Sequence, residues 1–279
     1  MNALEIKNLT VDFGDFAIRN LNLDIKKGCV TGLVGRNGAG KSTLIKTIMR
    51  QQQATGSILY DGKKFCEHEV EILCETACVF DSPHFTLNAK PKTLKRAFAA
   101  LYPAFNCDMY DELCAKFALP QDKRISKFSL GMQRKLCIIF ALCQSPELLI
   151  LDEPTSGIDP VDRAEIVTLL QNFMLDENHT ILFSTHITED LDKIADYIVM
   201  LDRGRVLLDE DKITLTESYR LVQAPELTEE LRAAAIGIRE NAFGYTFLTR
   251  LPVEGEGLAV TTPTVEQIFI HLSGEAAQR

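Results

Sequence analysis

The sequence lacks any apolar run long enough to cross a membrane. A spanning helix needs about 20 consecutive apolar residues, whereas the longest apolar stretch here is LCIIFALC. The first residues, MNALEIKNL, also lack the apolar segment that a signal peptide requires. We therefore expect a cytosolic chain without direct membrane insertion. If this chain works at a membrane, another protein must span the bilayer.

Long basic runs and CxxC pairs are also missing. The formal net charge is −9, which argues against a nucleic-acid partner. The eight cysteines lie mostly in apolar or helix-like segments, and we expect them to be reduced, as in a cytosolic protein. The group Cys66, His68, Cys74 and Cys78 leaves a zinc site open as an alternative, although its spacing is irregular.

Segments with different hydrophobic periods follow one another along the chain. Residues 4–25 alternate between apolar and polar, which predicts half-buried antiparallel strands. CVTGLVG, ELLILDEP and TILFSTH are continuous apolar runs of the buried parallel type, and the helix-like DRAEIVTLLQNFML separates the last two. GSILYDGKKF and YIVMLDRGRVLLDED predict hairpins. This order predicts an α/β fold with a mainly parallel sheet and an N-terminal antiparallel β-subdomain.

Two regions depart from this alternation. From about Ser82 to Gln144 the apolar spacing is helical, which predicts a helical subdomain. Further along, PELTEELRAAAI and TVEQIFIHLS predict helices, while YTFLTRL and GLAVTT predict strands. Thr264 and Gln267 have capping-box spacing at the start of the last helix. We therefore divide the chain into a main domain, residues 1–212, and a small α+β C-terminal appendage, residues 213–279.

The stretch GRNGAGKST matches the phosphate-loop pattern G-x-x-x-x-G-K-[ST], and it lies between a predicted strand and a predicted helix. Its backbone N–H groups and the positive end of the following helix suit a diphosphate. Lys41 is placed to reach the β- and γ-phosphates, and the Ser42 hydroxyl to bind Mg²⁺. We therefore predict a P-loop NTPase core that binds nucleotide through Gly35, Arg36, Asn37, Gly38, Ala39, Gly40, Lys41, Ser42 and Thr43.

An acidic pair and a histidine follow the two buried strands. Asp152 and Glu153 end the run LLILDEP, at the strand edge where open α/β sheets bind ligands. Asp152 is suited to hold Mg²⁺ through water, and Glu153 to act as the general base for an attacking water. His186 ends the next strand, where it could contact a γ-phosphate. Without the phosphate loop, a solvated strand end and a structural histidine would be the alternatives.

Taken together, these residues resemble the ATP-binding subunit of ABC transporters over roughly residues 2–212. GRNGAGKST resembles the Walker A loop, LLILDEP resembles Walker B with its adjacent catalytic glutamate, and TSGID resembles the D-loop. His186 resembles the switch histidine, so the resemblance makes Glu153, His186 and Lys41 the catalytic residues. Phe13 in VDFGDF matches the aromatic residue that stacks on adenine, although a simple strand hydrophobe remains an alternative.

The segment FSLGMQRKL resembles the signature of that family. In such proteins two subunits pack head to tail, and each signature faces the γ-phosphate on the other subunit. The resemblance therefore implies that Ser129 and Gly131 bind the nucleotide of a second ATP-binding subunit. A helix start favours an anion in the same way. Leu130 and Met132 depart from the commonest signature, where Gly and Gln are more usual, but similar forms occur in exporter-like subunits.

A second departure lies in CVFDSPHF. The family usually has a glutamine near Asp81, where it contacts Mg²⁺ and couples the site to the membrane partner. Aspartate is shorter and charged, so Asp81 either binds Mg²⁺ through water or repels the γ-phosphate. The predicted metal residues are thus Ser42, Asp152 and Asp81, and the predicted cofactors are ATP and Mg²⁺. The helical subdomain, by the same resemblance, touches the permease.

The resemblance implies an ATPase that powers export through a separate transmembrane permease, held at the inner face of the membrane by that permease. AFNCDMYDELCAKFALP and PTVEQIFIHLSG are similar to bacterial exporter subunits of the drug and peptide-antibiotic type. A regulatory ATP switch is the alternative, yet such switches carry tandem cassettes or a coiled-coil insertion. A GTPase would need an N-K-x-D motif, which is missing. The appendage either regulates or stabilises a dimer, or packs on the core as a tail.

Overall fold

The computed structural model describes residues 1–82, 86–253, 255 and 257–276. Small parts of the predicted helical subdomain and appendage, at 83–85, 254, 256 and 277–279, lie outside the described residues. In chain order the elements are β1 (Asn2–Asp12), β2 (Ala17–Lys26), β3 (Val30–Val34), α1 (Lys41–Ile48), β4 (Thr55–Tyr60), β5 (Lys63–Lys64), α2 (Phe65–Glu75), β6 (Thr76–Val79), α3 (Pro91–Leu101), α4 (Cys107–Lys116), a 3₁₀ turn (Ile125–Lys127), α5 (Leu130–Cys143), β7 (Leu148–Asp152), α6 (Pro160–Phe173), β8 (Thr180–Thr185), α7 (Thr188–Ile194), β9 (Tyr197–Asp202), β10 (Arg205–Asp211), α8 (Lys212–Ser218), β11 (Arg220–Ala224), α9 (Glu229–Ala234), β12 (Ile236–Asn241), β13 (Gly244–Thr249), β14 (Ala259–Thr261) and α10 (Val265–Ala276).

A mainly parallel sheet forms the centre of the molecule. Its strand order is β10-β9-β3-β8-β7-β6, and only the β9–β10 pair is antiparallel among the described pairs. Every residue of β3, β7 and β8 is buried, because apolar side chains pack against both faces of the sheet. The predicted parallel sheet is confirmed, and its strands end at a common edge.

The N-terminal strands form a separate antiparallel sheet with the order β2-β1-β4-β5. β2 alternates between buried and exposed residues, as a sheet with one solvated face requires. The buried face packs with α1 and with one face of the central sheet in a shared apolar cluster. The predicted hairpin between β4 and β5 turns at Asp61 and Gly62, both with positive φ. The predicted antiparallel subdomain is therefore confirmed.

The helices α3, α4 and α5 pack around an aromatic cluster. Phe140 is 1% exposed, and its ring centroid lies 4.6 Å from that of Phe98 and 5.0 Å from that of Tyr110. Phe105 completes the group. Aromatic pairs at these separations add to the burial of their large apolar area. This cluster therefore holds α5, which carries the signature residues, within the predicted helical subdomain.

The C-terminal segment folds into a third sheet, β12-β13-β11-β14, with the helix α10 beside β12 and α7. Thr264 and Gln267 form the predicted capping box: the Thr264 N–H donates to Gln267 Oε1 at 2.9 Å, and the Gln267 N–H donates to Thr264 Oγ1 at 3.3 Å. Leu248 and Ile268 join the apolar cluster of the central sheet. The segment therefore packs on the main domain, and the boundary at residue 212 stays a prediction.

The helix α2 lies in a segment without clear hydrophobic periodicity. The helix α2 kinks at His68, where φ is −133°, and buries Ile72 alone among its residues. A helix with one buried residue carries no apolar stripe, so the sequence pattern did not predict α2.

None of the described helices has the length and apolarity needed to span a membrane.

We expect Phe140→Ala to lower the free energy of unfolding by about 3–5 kcal/mol, because it leaves a cavity inside the aromatic cluster. Urea unfolding followed by circular dichroism measures this change. Leu175→Ala, at a side chain that is 82% exposed, is the control and should cost about 0.5 kcal/mol or less. Equal losses in the two variants would contradict the role of the cluster.

Candidate active site

The phosphate-loop segment connects the end of β3 to the start of α1. Gly38 and Gly40 adopt φ values of 81° and 107°, which residues with a Cβ atom rarely adopt. A Cβ at Gly40 would also lie 2.7 Å from the Phe16 ring. These glycines let the backbone turn tightly over a ring, so the loop wraps a concave space at the N-terminus of α1.

That space is a cleft of about 500 Å³, a size that suits a small ligand. Its lining joins most of the predicted site residues and adds Phe16 and Ser156. The lining residues are Phe16, Arg36, Asn37, Gly38, Ala39, Gly40, Lys41, Ser42, Thr43, Asp81, Glu153, Ser156 and His186. The structure therefore brings together three distant segments that the sequence placed at the same sheet edge.

Two aromatic residues lie near the loop, and they are placed differently. Phe16 lines the cleft, whereas Phe13, the residue that the sequence analysis assigned to adenine, is 51% exposed and lies outside that lining. The two are joined by the turn in which the Phe13 N–H donates to the Phe16 carbonyl at 2.9 Å. Stacking of adenine on Phe13 stays a prediction.

Lys41, Glu153 and His186 form a chain of polar contacts across the cleft. The Lys41 ammonium donates to the Gly35 carbonyl at 2.6 Å and lies 3.3 Å from Glu153 Oε1. The other carboxylate oxygen, Oε2, lies 2.7 Å from His186 Nδ1. Lys41 and Glu153 have side chains only 6% and 13% exposed, so each charge is partly offset by the other in a site of restricted solvent access.

Glu153 has an unusual backbone conformation for a glutamate. Its φ is 50°, in the left-handed region that costs a residue with a Cβ about 1–2 kcal/mol. Its N–H donates to the Ser184 carbonyl at 2.9 Å, which fixes the backbone, while Lys41 and His186 fix the side chain. Strain of this kind persists where the surroundings determine the conformation several times over. In this conformation the Glu153 carboxylate lines the cleft.

Asp152 lies beneath the cleft and is 1% exposed. Burial raises the pKa of Asp152, hydrogen bonds with Ser42 and Ser184 lower it, and the negative charges of Glu153 and Asp81 raise it again. The Ser184 hydroxyl donates to Asp152 Oδ1 at 3.0 Å. A buried carboxylate beside the Ser42 hydroxyl is a hard oxygen donor set of the kind that Mg²⁺ prefers. No group of three or more His, Cys, Asp or Glu residues suited to a metal occurs within the described ranges.

Asp81 pairs with a residue that the sequence analysis did not single out. Arg134, on α5, donates from Nη2 to Asp81 Oδ1 at 2.6 Å and from Nη1 to the Phe80 carbonyl at 3.2 Å. The two residues lie 53 positions apart, so no local pattern links them. Asp81 thus faces the cleft while its carboxylate is held from the helical subdomain.

The D-loop, Thr155–Asp159, is anchored at both of its ends. The Thr155 hydroxyl donates to the buried carboxylate of Asp190 at 2.7 Å, and Arg163 Nε donates to the same carboxylate at 2.6 Å. Asp159 caps α6 by accepting N–H bonds from Val161 and Asp162, and these bonds lower the pKa of Asp159. No sequence motif marks Asp190, so its contacts with Thr155 and Arg163 could not be predicted from the sequence.

Ser129 and Gly131 lie at the start of α5, outside the lining of the cleft in the same chain. Ser129 is exposed, and its hydroxyl accepts the Met132 N–H at 3.2 Å, as an N-cap does. Gly131 is buried, and a Cβ there would lie 2.3 Å from Asp162 Oδ2. The start of α5 therefore packs closely against α6 and presents Ser129 to the outside.

Comparison with known proteins gives consistent similarities. The family model described as ABC transporter matches residues 18–156. The bacitracin transport ATP-binding protein BcrA of Bacillus licheniformis is 33% identical over 194 residues, which cover 68% of this chain and 63% of that protein. The lantibiotic transport ATP-binding protein SrtF of Streptococcus pyogenes is 32% identical over 212 residues, which cover 75% of this chain and 90% of that protein. The solved structure of an ATP-binding subunit of an ABC transporter superposes with a TM-score of 0.69 at 26% identity, covering 77% of this chain and 92% of that one.

We expect Gly40→Ala to weaken ATP binding more than Gly38→Ala does. The dissociation constant of Gly40→Ala should be at least about tenfold higher than that of Gly38→Ala. Both variants force alanine into the left-handed region, but a Cβ at Gly38 has open space around it, whereas a Cβ at Gly40 meets Phe16. Isothermal titration with ATP measures both. Adding Phe16→Leu to Gly40→Ala should recover part of the loss, with Phe16→Leu alone as control. No recovery would mean that the ring does not limit the loop.

Proposed function

The chain belongs to the ABC transporter family, whose ATP-binding subunits are ATPases coupled to transport, and from this premise we propose that it powers export through a separate transmembrane permease. We propose further that two such subunits close head to tail around ATP. The observation that carries the proposal is the joining, in one cleft, of a phosphate loop, Lys41, Glu153 and His186. This arrangement supplies a phosphate cradle and a base beside it.

Lys41 holds the nucleotide phosphates in this proposal, together with the backbone amides of the loop and the N-terminus of α1. The Lys41 ammonium now contacts Glu153 Oε1. A γ-phosphate is the stronger partner for that ammonium, because it carries more charge than one carboxylate. We therefore expect arrival of ATP to release Oε1 of Glu153 into the cleft.

Glu153 then orients and deprotonates the attacking water. His186 keeps the carboxylate in place through Nδ1 and Oε2, at 2.7 Å, and its Nε2 is left to contact the γ-phosphate. The Glu153 carboxylate lines the cleft beside Lys41 of the phosphate loop, which in this proposal places the base next to the γ-phosphate. Removal of the water proton at this carboxylate is general-base catalysis, which typically contributes about 10²–10⁴-fold in rate.

Mg²⁺ fits the donors at the base of the cleft. The Ser42 hydroxyl and, through water, the carboxylates of Asp152 and Asp81 would hold it. When bound, the ion neutralises charge on the β- and γ-phosphate oxygens and so favours the transfer. Asp152 contributes a buried carboxylate whose orientation is fixed by Ser184, which suits an outer ligand of this kind.

The site is incomplete in a single chain. Ser129 is exposed at the N-terminus of α5 and lies outside its own cleft, so we propose that it caps the γ-phosphate on a second subunit. The close packing of Gly131 against α6 keeps that helix start rigid. ATP then joins the two chains, and hydrolysis with phosphate release separates them, so that chemistry drives motion.

Export of a peptide antibiotic is the transport role that the similar proteins favour. BcrA is named for bacitracin transport and SrtF for lantibiotic transport. We propose a cargo of that chemical class, carried by a permease that the helical subdomain contacts at the inner face of the membrane. The cargo itself would bind the permease, and this chain would supply the energy.

We expect Glu153→Gln to bind Mg-ATP but to hydrolyse it at least about 100-fold more slowly, because the amide keeps the shape and loses the base. Static light scattering should then detect a dimer with Mg-ATP and a monomer with Mg-ADP. Glu229→Gln, at an exposed glutamate of α9, is the control for loss of one charge. Unchanged turnover would remove Glu153 from the base role, and a monomer with both nucleotides would favour a regulatory switch.

We expect Ser129→Arg to abolish ATP hydrolysis while the affinity of the monomer for ATP changes less than about threefold. The arginine would obstruct the partner's site and leave its own cleft intact. Ser145→Arg, at an exposed serine just beyond the other end of α5, is the matched control and should keep hydrolysis. Loss of ATP binding by Ser129→Arg would argue against a site shared between two chains.

A further inference from the structure

Arg134 is a buried cation that points from the helical subdomain toward the cleft. Its side chain is 5% exposed, and within the described residues its Nε has no hydrogen-bond partner. Its two other nitrogens donate to Asp81 Oδ1 and to the Phe80 carbonyl. A buried guanidinium requires a compensating anion, and the Asp81 carboxylate at 2.6 Å is the anion with which it forms an ion pair.

Asp81 is the cleft end of this pair. Its side chain is 57% exposed, and it lines the same space as Lys41 and Glu153. Glu153 lines the same cleft, and buried Asp152 directly precedes it in the chain, so three carboxylates lie close together at this edge of the sheet. A nucleotide triphosphate entering the cleft brings further negative charge, which an unpaired Asp81 would repel.

We propose that Arg134 is a positioning residue of the nucleotide site: its guanidinium holds Asp81 at the edge of the cleft and offsets its charge, so that the cleft accepts a triphosphate. The inference rests on the nucleotide occupying this cleft and does not depend on transport. It also explains how a charged residue is tolerated at a position that faces the phosphates. Asp81 accepts from Arg134 through Oδ1 and also lines the cleft.

The shape of the Arg134 guanidinium, with two terminal nitrogens, matters as well as its charge. One arm contacts Asp81 and the other contacts the backbone of the neighbouring Phe80, so both the side chain and its main chain are fixed from α5. Arg134 lies on α5, the helix whose N-cap is Ser129. The phosphate end of the cleft and the exposed signature are thereby connected through one helix and one ion pair.

The test is a double-mutant cycle on nucleotide affinity, measured by isothermal titration with ATP and with ADP in excess EDTA. Removing the metal keeps any direct contribution of Asp81 to Mg²⁺ binding out of the result. We expect Arg134→Gln to weaken ATP binding about tenfold and ADP binding less, because ATP carries the additional charge. Adding Asp81→Asn should restore the affinity to within about threefold of the unaltered chain.

A merely structural role for Arg134 predicts a different pattern. Arg134→Gln would then weaken ATP and ADP equally, and Asp81→Asn would not rescue it, and either result would overturn the proposal. Lys27→Gln is the control: Lys27, like Arg134, is a partly or fully buried cation in an ion pair, but its partners are Asp61 and Glu147, and it lies outside the cleft lining. Lys27→Gln should lower the melting temperature of the protein, but it should not change the affinity for ATP relative to the affinity for ADP.

Asp81→Asn alone covers the case in which Arg134→Gln fails to fold, since the amide oxygen can still accept the Arg134 hydrogen bond and the side chain is more than half exposed. It leaves the cation of Arg134 uncompensated beside the cleft, so metal-free ATP should bind at least about threefold more tightly. Unchanged or weaker ATP binding in this variant would overturn the proposal. If the unaltered chain did not bind ATP or ADP, that result would instead overturn the assignment of the cleft as the nucleotide site.

Discussion

The register of three parallel strands is the constraint on which the active site depends. In the central sheet, Val34 of β3 pairs with Thr185 of β8, and Asp152 of β7 pairs with Ser184 of β8. The phosphate loop, Glu153 and His186 follow directly after Val34, Asp152 and Thr185, so all three leave the sheet at one edge. A slip of one residue would turn Asp152 to the opposite face. That slip would separate the buried Asp152 carboxylate from the Ser184 hydroxyl that donates to it at 3.0 Å, and an unpaired buried carboxylate is costly.

Charge balance decides how this edge works. Three carboxylates, at positions 81, 152 and 153, lie in or next to the cleft in which we propose that the negatively charged nucleotide binds. Lys41 offsets Glu153, hydrogen bonds with two serines stabilise Asp152, and Arg134 offsets Asp81. Each carboxylate therefore has its own partner before the nucleotide arrives. The nucleotide then competes for Lys41 alone in our account, which frees the base at the moment when it is needed.

Much of this site could be predicted from the sequence, because its parts are local. The glycine loop, the acidic pair at a strand end and the capped start of α5 each occupy a few consecutive residues, and the structure has them where the patterns placed them. Contacts between distant segments could not be predicted. The ion pair of Asp81 with Arg134 depends on how α5 packs beside β6, and the position of Phe16 in the cleft depends on the turn that begins at Phe13. The helix α2 was missed because it buries too little to carry a pattern.

In the proposed dimer, the signature of one chain completes the nucleotide site of the other chain. A crystal structure of Glu153→Gln with Mg-ATP would show whether the two chains pack in this way. Our account predicts two chains packed head to tail, with Ser129 of one chain in hydrogen-bond contact with the γ-phosphate on the other chain's loop, and with Oε1 or Nε2 of the substituted glutamine no longer bound to Lys41. ATP in the cleft of a chain whose γ-phosphate touches no signature residue of a second chain would contradict it.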